Sequence, residues 1–195
     1  MRAGSAVRCA VLSVETEWTV ERALALGKDE QLQLFATLPP PAFLELTGEY
    51  RGHASTPRSA KAAAAQDDSL FDESSPFGFW LGKGFKATSA SEGEGYNHCR
   101  KTDCRVVRHL RFGTRMGSSY LDGKPAFLLS YASFANRSGA EDLTDEVRRL
   151  ASGLYLCTAT TRTPDGGRSR PTIFLLSGPL GDWIGPDDPN RERKS

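Results

Sequence analysis

The first pattern along the chain is helical. Apolar residues recur at roughly helical spacing over Thr19–Leu38, which predicts one or two short helices, and Gly27 weakens the middle of this segment. Pro39–Pro41 end the pattern, because proline lacks the amide donor and restricts the residue before it. A further short helical turn is predicted over Ala42–Leu46. We therefore interpret residues 19–47 as a helical segment that precedes the main domain.

The next segment has few apolar positions. Ser55–Ser75 consists mostly of Ala, Ser, Asp, Lys and Pro, with only Leu70 and Phe71 to bury. This composition predicts a flexible insertion, since it offers too little apolar surface to offset the loss of chain entropy. The C-terminal residues 185–195 are rich in Pro, Asp and Arg and are predicted to fray.

Short strands in hairpin order dominate residues 77–180. The strand patterns lie at Phe77–Lys86, Cys104–Met116, Ala126–Phe134, Gly153–Arg162 and Pro171–Ser177. Hairpins with almost no helix between them favour antiparallel pairing, and closure of such a sheet removes its exposed edges. We therefore predict a mainly β fold, an antiparallel β-barrel with an interior pocket. An open α+β sheet is the alternative.

One segment of this region has the polarity of a helix. Asp142–Leu150 is acidic at its start and basic at its end, which complements a helix dipole. We predict a short helix here that caps one end of the barrel. Asp145 and Glu146 could form an acid/base pair, but helix capping and one-turn pairing with Arg148 and Arg149 is the favoured interpretation.

Composition supports one compact domain. The chain has 195 residues, of which 38% are hydrophobic and 25% charged, and this is enough for a single packed core over residues 1–195. The formal net charge of +1 argues against a nucleic-acid partner or an anionic membrane surface. The apolar run near the N-terminus is too short for a signal peptide or a membrane span. We therefore expect a cytoplasmic protein whose four cysteines are free thiols.

Cationic residues alternate along the predicted strand at Cys104–Met116. Odd-numbered positions include His109, Arg111 and Arg115, while even-numbered positions are mostly apolar. A solvated outer face is the ordinary interpretation. In the alternative, Arg111 and Arg115 point into the barrel and anchor a carboxylate or enolate, because a guanidinium binds planar oxyanions with two hydrogen bonds. His109, or His53 after a strand at Gly48–Gly52, would then transfer a proton.

Aromatic residues are spread over the predicted strands. The candidate residues for lining a substrate pocket are Tyr50, Trp80, Tyr96, Tyr131 and Tyr155. Aromatic side chains in a small barrel are usually core, but a tyrosine also offers a hydroxyl that can orient an oxygenated ligand. Tyr155, Cys157 and Ala159 are predicted to share one face of their strand, where small residues leave room beside a large ring.

The motifs imply no cofactor. His98, Cys99, Cys104 and His109 are potential soft ligands, but their spacing fits no common zinc pattern, and no metal site is predicted. The glycines on either side of Lys83 lack the spacing of a phosphate-binding or dinucleotide-binding loop. The chain also lacks the Gly-x-Ser-x-Gly motif of many hydrolases.

Two parts of the chain resemble a known family. The first is Leu34–Pro40 followed by Gly48–Gly52, which reads Gly-Glu-Tyr-Arg-Gly, and the second is Trp80–Phe85, which reads Trp-Leu-Gly-Lys-Gly-Phe. Over about residues 31–86 they resemble the GXWXG domain family and its usual lipocalin-like companion domain, with Tyr50 in place of the family's tryptophan. The resemblance implies a lipocalin-like (calycin-like) β-barrel and supplies no set of catalytic residues to carry over.

These patterns support three functional hypotheses. The first is a barrel that binds a hydrophobic, oxygenated metabolite and catalyses a cofactor-free isomerisation, cyclisation or dehydration in a biosynthetic pathway, since orientation of a folded substrate can supply much of the rate. The second is a non-catalytic carrier or sensor of a hydrophobic small molecule with the same pocket. The third is a haem- or metal-binding barrel. All three leave open whether two copies form a homodimer.

Overall fold

Two short helices precede the barrel in the computed structural model, which describes residues 17–55, 70–136 and 140–188. α1 spans Val20–Leu24 and α2 spans Lys28–Thr37, so of the predicted one or two short helices the structure has two. The segment predicted as a further helical turn contains only a single turn, closed by a hydrogen bond from the Glu45 amide to the Ala42 carbonyl at 2.9 Å. Within these ranges, no helix is long and apolar enough to cross a membrane.

Eight antiparallel strands form a closed barrel. In chain order they are β1 Gly48–Ala54, β2 Phe79–Ala87, β3 Glu92–Arg100, β4 Val106–Ser118, β5 Pro125–Ser130, β6 Leu143–Ala151, β7 Leu154–Thr161 and β8 Thr172–Gly181. Each strand pairs with the next, and β8 pairs with β1 to close the sheet. The predicted antiparallel barrel is therefore confirmed, and the open-sheet alternative is wrong.

The segment predicted as a capping helix is strand β6. Its side chains alternate across the sheet, with Asp145 and Val147 facing inward and Glu146 and Arg148 facing outward. All four residues are buried. The helix prediction is wrong because both faces of this strand are covered, so the usual contrast between an apolar inner face and a polar outer face is missing.

Strand β3 has no counterpart among the predicted strands. Its sequence, Glu92–Arg100, contains glycine, asparagine and glutamate and lacks β-branched residues, so it has low strand propensity. Packing explains one of its glycines, since a side chain at Gly95 would overlap the ring of Phe112. Tertiary contacts therefore outweigh propensity in this strand.

A β-bulge in β4 changes which residues face inward. Leu110 has a φ angle of 52°, and the register between β3 and β4 shifts between Gly95 and Asn97. Val107 packs into the core before the bulge, and Phe112 does so after it. The single cationic face predicted from odd-numbered positions is therefore wrong, because the bulge exchanges the two faces partway along the strand.

The strand β5 ends earlier than its apolar sequence predicts. It stops at Ser130, and Tyr131–Ser133 form a single 3₁₀ turn. The Tyr131 side chain is buried in the barrel interior as part of the central core cluster. The turn thus adds an aromatic hydroxyl to the interior from outside the regular strands.

The helices cover the outer face of the barrel at β6–β8. An apolar cluster fills the space between the helices and these strands: Ala23, Phe35, Leu150, Leu154, Leu156, Ile173 and Leu175. The Lys124 ammonium also donates a hydrogen bond to the Ala36 carbonyl in α2 at 2.7 Å. The N-terminal helical segment is therefore part of the same folded unit as the barrel.

Some predictions fall outside the described residues. These are the N-terminal apolar run, residues 56–69 of the predicted insertion and residues 189–195 of the predicted tail. The start of the tail is described, and hydrogen bonds connect it to the barrel. Asp187 lies against β4, where its amide donates to the Arg108 carbonyl and its carboxylate accepts from the Arg108 amide, both at 2.9 Å.

Candidate functional site

The barrel is closed at the end where β1 begins. The segment after α2 fills this end, and Phe43 packs against the interior core. The Tyr155 hydroxyl donates to Glu45 Oε1 at 2.8 Å, and the Tyr50 hydroxyl donates to the Glu45 carbonyl at 3.3 Å. Burial, together with the Glu45 carboxylate, raises the pKa of Tyr155. Both tyrosine hydroxyls are thus engaged within the protein, and these two side chains shape the closed end.

A buried ion pair lies in the barrel interior. Lys83 of β2 and Asp145 of β6 meet across the barrel, with Lys83 Nζ 2.9 Å from Asp145 Oδ2 and the two side chains 4% and 1% exposed. Lys83 Nζ also donates to Asn97 Oδ1 at 2.8 Å and to the Tyr131 hydroxyl at 2.6 Å. All three ammonium N–H groups therefore have acceptors.

Asn97 and Trp80 extend this ion pair into a hydrogen-bonded network. Trp80 Nε1 donates to Asn97 Oδ1 at 3.0 Å, and Asn97 Nδ2 donates to the Tyr131 hydroxyl at 2.9 Å and to the Leu110 carbonyl at 3.2 Å. We call the network the polar cluster; its members are Trp80, Lys83, Asn97, Tyr131 and Asp145. Because they come from four different elements of the fold, only the closed barrel brings them together.

Aromatic rings enclose the Lys83 ammonium. Nζ lies 5.3 Å from the ring centroids of Phe112, Tyr131 and Phe174 and 5.7 Å from that of Trp80. The quadrupoles of these rings attract a cation that has been removed from water. The rings also keep water away from the ion pair, which strengthens its electrostatic attraction.

The surroundings set the protonation states of two members. Burial alone would lower the pKa of Lys83, but the Asp145 carboxylate and the Tyr131 hydroxyl outweigh burial and raise that pKa above its usual value. Burial and the Asp145 carboxylate raise the pKa of Tyr131. At neutral pH the cluster therefore contains an ammonium ion and a neutral phenol.

One oxygen of the polar cluster has no hydrogen-bond donor. Asp145 Oδ2 accepts from Lys83 Nζ at 2.9 Å and from the Tyr131 hydroxyl at 3.2 Å. Asp145 Oδ1 is buried and accepts no hydrogen bond within the described part of the chain. Leaving a buried acceptor unpaired costs about 1–3 kcal/mol. Asp145 Oδ1 is therefore the oxygen of the polar cluster whose hydrogen-bonding capacity is unused.

The end of the barrel opposite the closed end is lined by apolar side chains that are partly exposed. We call them the apolar rim: Leu70, Val107, Leu110, Ala140, Leu143 and Ala159. Ala159 is paired directly with Asp145 across β6 and β7. An apolar lining with a few convergent polar groups beneath it is the usual composition of a small-molecule site.

A surface depression lies elsewhere, on the outside of the closed end. It has a volume of about 240 Å³ and is lined by Thr47–Gly48 and Pro179–Trp183. It contains no member of the polar cluster. The interior network and the apolar rim therefore remain the candidate site.

Most of the predicted pocket residues face the interior. Tyr50 and Tyr155 lie at the closed end, whereas Trp80 and Tyr131 belong to the polar cluster. The predicted shared face of Tyr155, Cys157 and Ala159 is confirmed, since all three pack into the central core.

Tyr96 is the exception among these aromatic residues. Its neighbour Asn97 faces inward, so strand alternation places Tyr96 on the outer face. The Tyr96 hydroxyl donates to Glu49 Oε1 at 2.9 Å, and its ring lies 4.5 Å from that of Trp183. The prediction that Tyr96 lines the pocket is wrong.

The two candidate histidines are in different places. His53 follows the inward-facing Gly52 and lies on the outer face, with Nε2 2.9 Å from Ser177 Oγ. Burial and the nearby Arg51 lower its pKa. His109 is paired with Asn97 towards the end opposite the closed end, and its Nε2 donates to the Phe77 carbonyl at 3.0 Å. Only His109 remains a candidate for proton transfer next to the apolar rim.

Neither candidate arginine faces the interior. Arg111 directly precedes the inward-facing Phe112, pairs with Glu94 and stacks 4.1 Å over the Phe134 ring. Arg115 is exposed on the outer face. The ordinary interpretation as an outer face therefore fits both residues, and the predicted oxyanion clamp is wrong.

Three members of the polar cluster are absent from the predicted site: Lys83, Asn97 and Asp145. Lys83 stands between two glycines, and Asp145 lies in a segment with helical charge order. The available signal is alternation, because Asp145 occupies the same inward phase as Leu143 and Val147. That signal becomes visible only when the segment is recognised as a strand.

The described part of the chain does not support the haem- or metal-binding hypothesis with a set of metal ligands. Among the described residues, no group of three or more His, Cys, Asp or Glu side chains is placed to hold a metal ion. Cys99 and Cys157 are buried, whereas Cys104 is exposed. The cysteines of the predicted soft-ligand group thus lie in different environments.

We expect the two buried thiols to resist modification. Burial raises the pKa of Cys99 to about 12 and also raises the pKa of Cys157, so little reactive thiolate forms. In a Cys9→Ser background, Ellman's reagent should modify Cys104 rapidly and the buried pair on the order of a thousand times more slowly. The Cys104→Ser variant of that background is the control, and rapid colour development in it would contradict this burial.

The closed eight-stranded antiparallel barrel is a lipocalin-like fold. No family model matches the chain, and no curated protein matches it. The resemblance to the GXWXG family stays a prediction.

Solved structures are similar to the chain at low sequence identity. A protein from Thermomonospora curvata has a TM-score of 0.51 at 15% identity, over 79% of this chain and 88% of that chain. Bovine odorant-binding protein complexed with its natural ligand has a TM-score of 0.36 at 12% identity, over 73% and 77%. Aphrodisin from the female hamster has a TM-score of 0.34 at 12% identity, over 74% and 81%. The first of these supports the fold alone.

Proposed function

We propose that this protein binds a small, hydrophobic, oxygen-containing molecule at the end of the barrel opposite the closed end, between the apolar rim and the polar cluster. The observation that carries the proposal is the state of Asp145 Oδ1. This buried acceptor has no donor, and it lies next to the apolar rim. Lipocalin-like barrels of eight strands have an interior wide enough for one small ligand, which is consistent with this placement.

The polar cluster suits the role of a rigid anchor. Hydrogen bonds and an ion pair already hold Lys83, Asn97 and Tyr131 in one arrangement. A ligand would therefore meet a preorganised acceptor and would lose little affinity to ordering of the site. The closed end, in contrast, is filled by side chains that use their own polar groups.

Two variants in which phenylalanine replaces an alanine test where the ligand binds. Ala159→Phe places a ring in the apolar rim opposite Asp145, whereas Ala132→Phe adds the same ring at an exposed position. We expect the wild type and Ala132→Phe to bind the fluorescent probe N-phenyl-1-naphthylamine, and Ala159→Phe to bind it at least tenfold more weakly. Native mass spectrometry of freshly purified wild type should also show a retained small molecule. Absence of both probe binding and a retained molecule would refute the proposal.

Catalysis is a second candidate function, and Asp145 favours it as well. Asp145 Oδ1 is a desolvated carboxylate oxygen without a donor, and it offers the proton acceptor that a cofactor-free isomerisation, cyclisation or dehydration needs. His109, next to the apolar rim, would be an additional proton carrier. A carrier or sensor would use the same groups for binding alone.

Deuterium uptake separates the catalyst from the carrier. If the retained molecule is a substrate, incubation with the protein in D₂O should convert it or exchange a carbon-bound proton. Asp145→Asn should abolish this reaction, whereas Lys86→Met, an exposed change in the same barrel, should leave it unchanged. A retained molecule that stays unaltered with wild-type protein would assign the carrier function.

A further inference from the structure

We propose that the ligand is an electrically neutral molecule that donates a hydrogen bond from a hydroxyl group to Asp145 Oδ1. This inference rests on the proposed function and specifies the chemical class of the ligand. A carboxylate and an amine of the same shape are the classes that the site disfavours.

The hydrogen bonds within the polar cluster indicate that the ligand contributes a donor. Lys83 Nζ already donates to Asp145, Asn97 and Tyr131. The Trp80 and Asn97 N–H groups also have acceptors, and the Tyr131 hydroxyl donates to Asp145 Oδ2. The cluster therefore has no spare donor for a ligand carbonyl or carboxylate. Its unused hydrogen-bonding site is an acceptor, Asp145 Oδ1.

The compensated charges of the polar cluster indicate that the ligand is electrically neutral. The Lys83 ammonium and the Asp145 carboxylate compensate each other within 2.9 Å. A ligand carboxylate at Oδ1 would place a second anion against Asp145 without a donor between them. A ligand ammonium would add a second cation near Lys83 in an interior from which water is excluded. Both arrangements carry the cost of an uncompensated buried charge.

The apolar rim indicates the chemical character of the rest of the ligand. All six rim residues are aliphatic, so the body of the molecule beyond its hydroxyl meets apolar surface. A hydrocarbon or aromatic skeleton with one hydroxyl group matches the site when the hydroxyl points to the polar cluster and the skeleton lies against the apolar rim. The hydroxyl would also supply the hydrogen bond that Asp145 Oδ1 lacks, and a buried acceptor that gains a donor favours binding.

Four compounds with one skeleton test this inference on the wild-type protein at neutral pH. 2-Naphthol carries the donor, 2-methoxynaphthalene has the same oxygen without a donor, 2-naphthoic acid is an anion and 2-naphthylmethylamine is a cation. Isothermal titration calorimetry should show 2-naphthol binding at least tenfold more tightly than the methyl ether, and the two ions binding more weakly than 2-naphthol. Equal affinity of naphthol and ether would overturn the inference while leaving the proposed function intact.

A double variant removes the acceptor while leaving no unpaired charge. Lys83→Met with Asp145→Leu replaces the ion pair by apolar groups, and in this variant the preference for naphthol over the ether should disappear. Its fold is checked by circular dichroism before titration. A retained natural ligand that lacks any hydroxyl group would also overturn the inference. Failure of all four compounds, with no retained molecule, would instead refute the proposed function itself.

Discussion

Replacing Lys83 with methionine should lower the free energy of unfolding by about 3–5 kcal/mol, the usual cost of removing one partner of a buried ion pair. Lys83 and Asp145 are almost fully buried and lie 2.9 Å apart. Methionine fills a similar volume, so the loss comes mainly from leaving the Asp145 carboxylate in an apolar interior with no cation. Urea unfolding monitored by tryptophan fluorescence measures the change.

Two controls isolate the effect of the buried charge. Lys86→Met changes an exposed lysine of the same strand and should cost less than about 0.5 kcal/mol. The double variant Lys83→Met with Asp145→Leu should recover most of the lost stability, because no buried charge then remains unpaired. If the double variant is as unstable as the single one, the cost comes from packing and not from the carboxylate.

Replacing Arg148 with methionine should cost about 3 kcal/mol and loosen α2. The Arg148 side chain is fully buried on the outer face of β6, where it stacks 4.5 Å over the Phe35 ring. It donates to the Phe35 carbonyl at 2.8 Å and to both carboxylate oxygens of Asp122 at 2.7 Å. Hydrogen bonds of a charged donor contribute about 1.5–3 kcal/mol each, and these are not additive. Hydrogen exchange of the α2 amides should accelerate in this variant.

The neighbouring arginine provides the matched control. Arg149→Met alters a half-exposed side chain in the same strand and should leave exchange in α2 unchanged. Loss of protection in both variants would show that β6 as a whole, rather than Arg148, holds the helix.

The same interaction makes stability depend on pH. The Arg148 hydrogen bonds lower the pKa of Asp122 from its usual 3.8 to about 2. A carboxyl whose pKa is lowered by folding stabilises the native state above its unfolded pKa, and this contribution is lost as the pH falls towards the folded pKa. The stability difference between wild type and Asp122→Asn should therefore be constant near neutral pH and shrink between about pH 4 and pH 2.

The candidate site was only partly predictable. Trp80 and Tyr131 are recognisable from sequence because large aromatic residues in and next to apolar strand patterns are usually buried. Lys83 and Asp145 are not, because a charged residue in a sequence window is ordinarily exposed and nothing local identifies its partner. They lie on β2 and β6, and their contact exists only because eight strands close into a barrel.

Two corrections have a common physical cause. The bulge at Leu110 moves the inward phase of β4 from odd to even positions, so Arg111 and Arg115 face outward. In β6, burial of both faces hides the strand period and leaves a charge order that is typical of a helix. In each case a long-range contact decides which face a residue occupies.

The sequence by itself determined a helical segment before the barrel and the hairpin order of most strands, because helix breaks, turns and apolar periodicity are local properties that neighbouring residues specify. It also indicated that the aromatic residues of the predicted strands would be buried. Only the tertiary structure decided that Lys83 and Asp145 meet and that one carboxylate oxygen lacks a donor. Those facts depend on sheet closure, which brings together residues far apart in the chain.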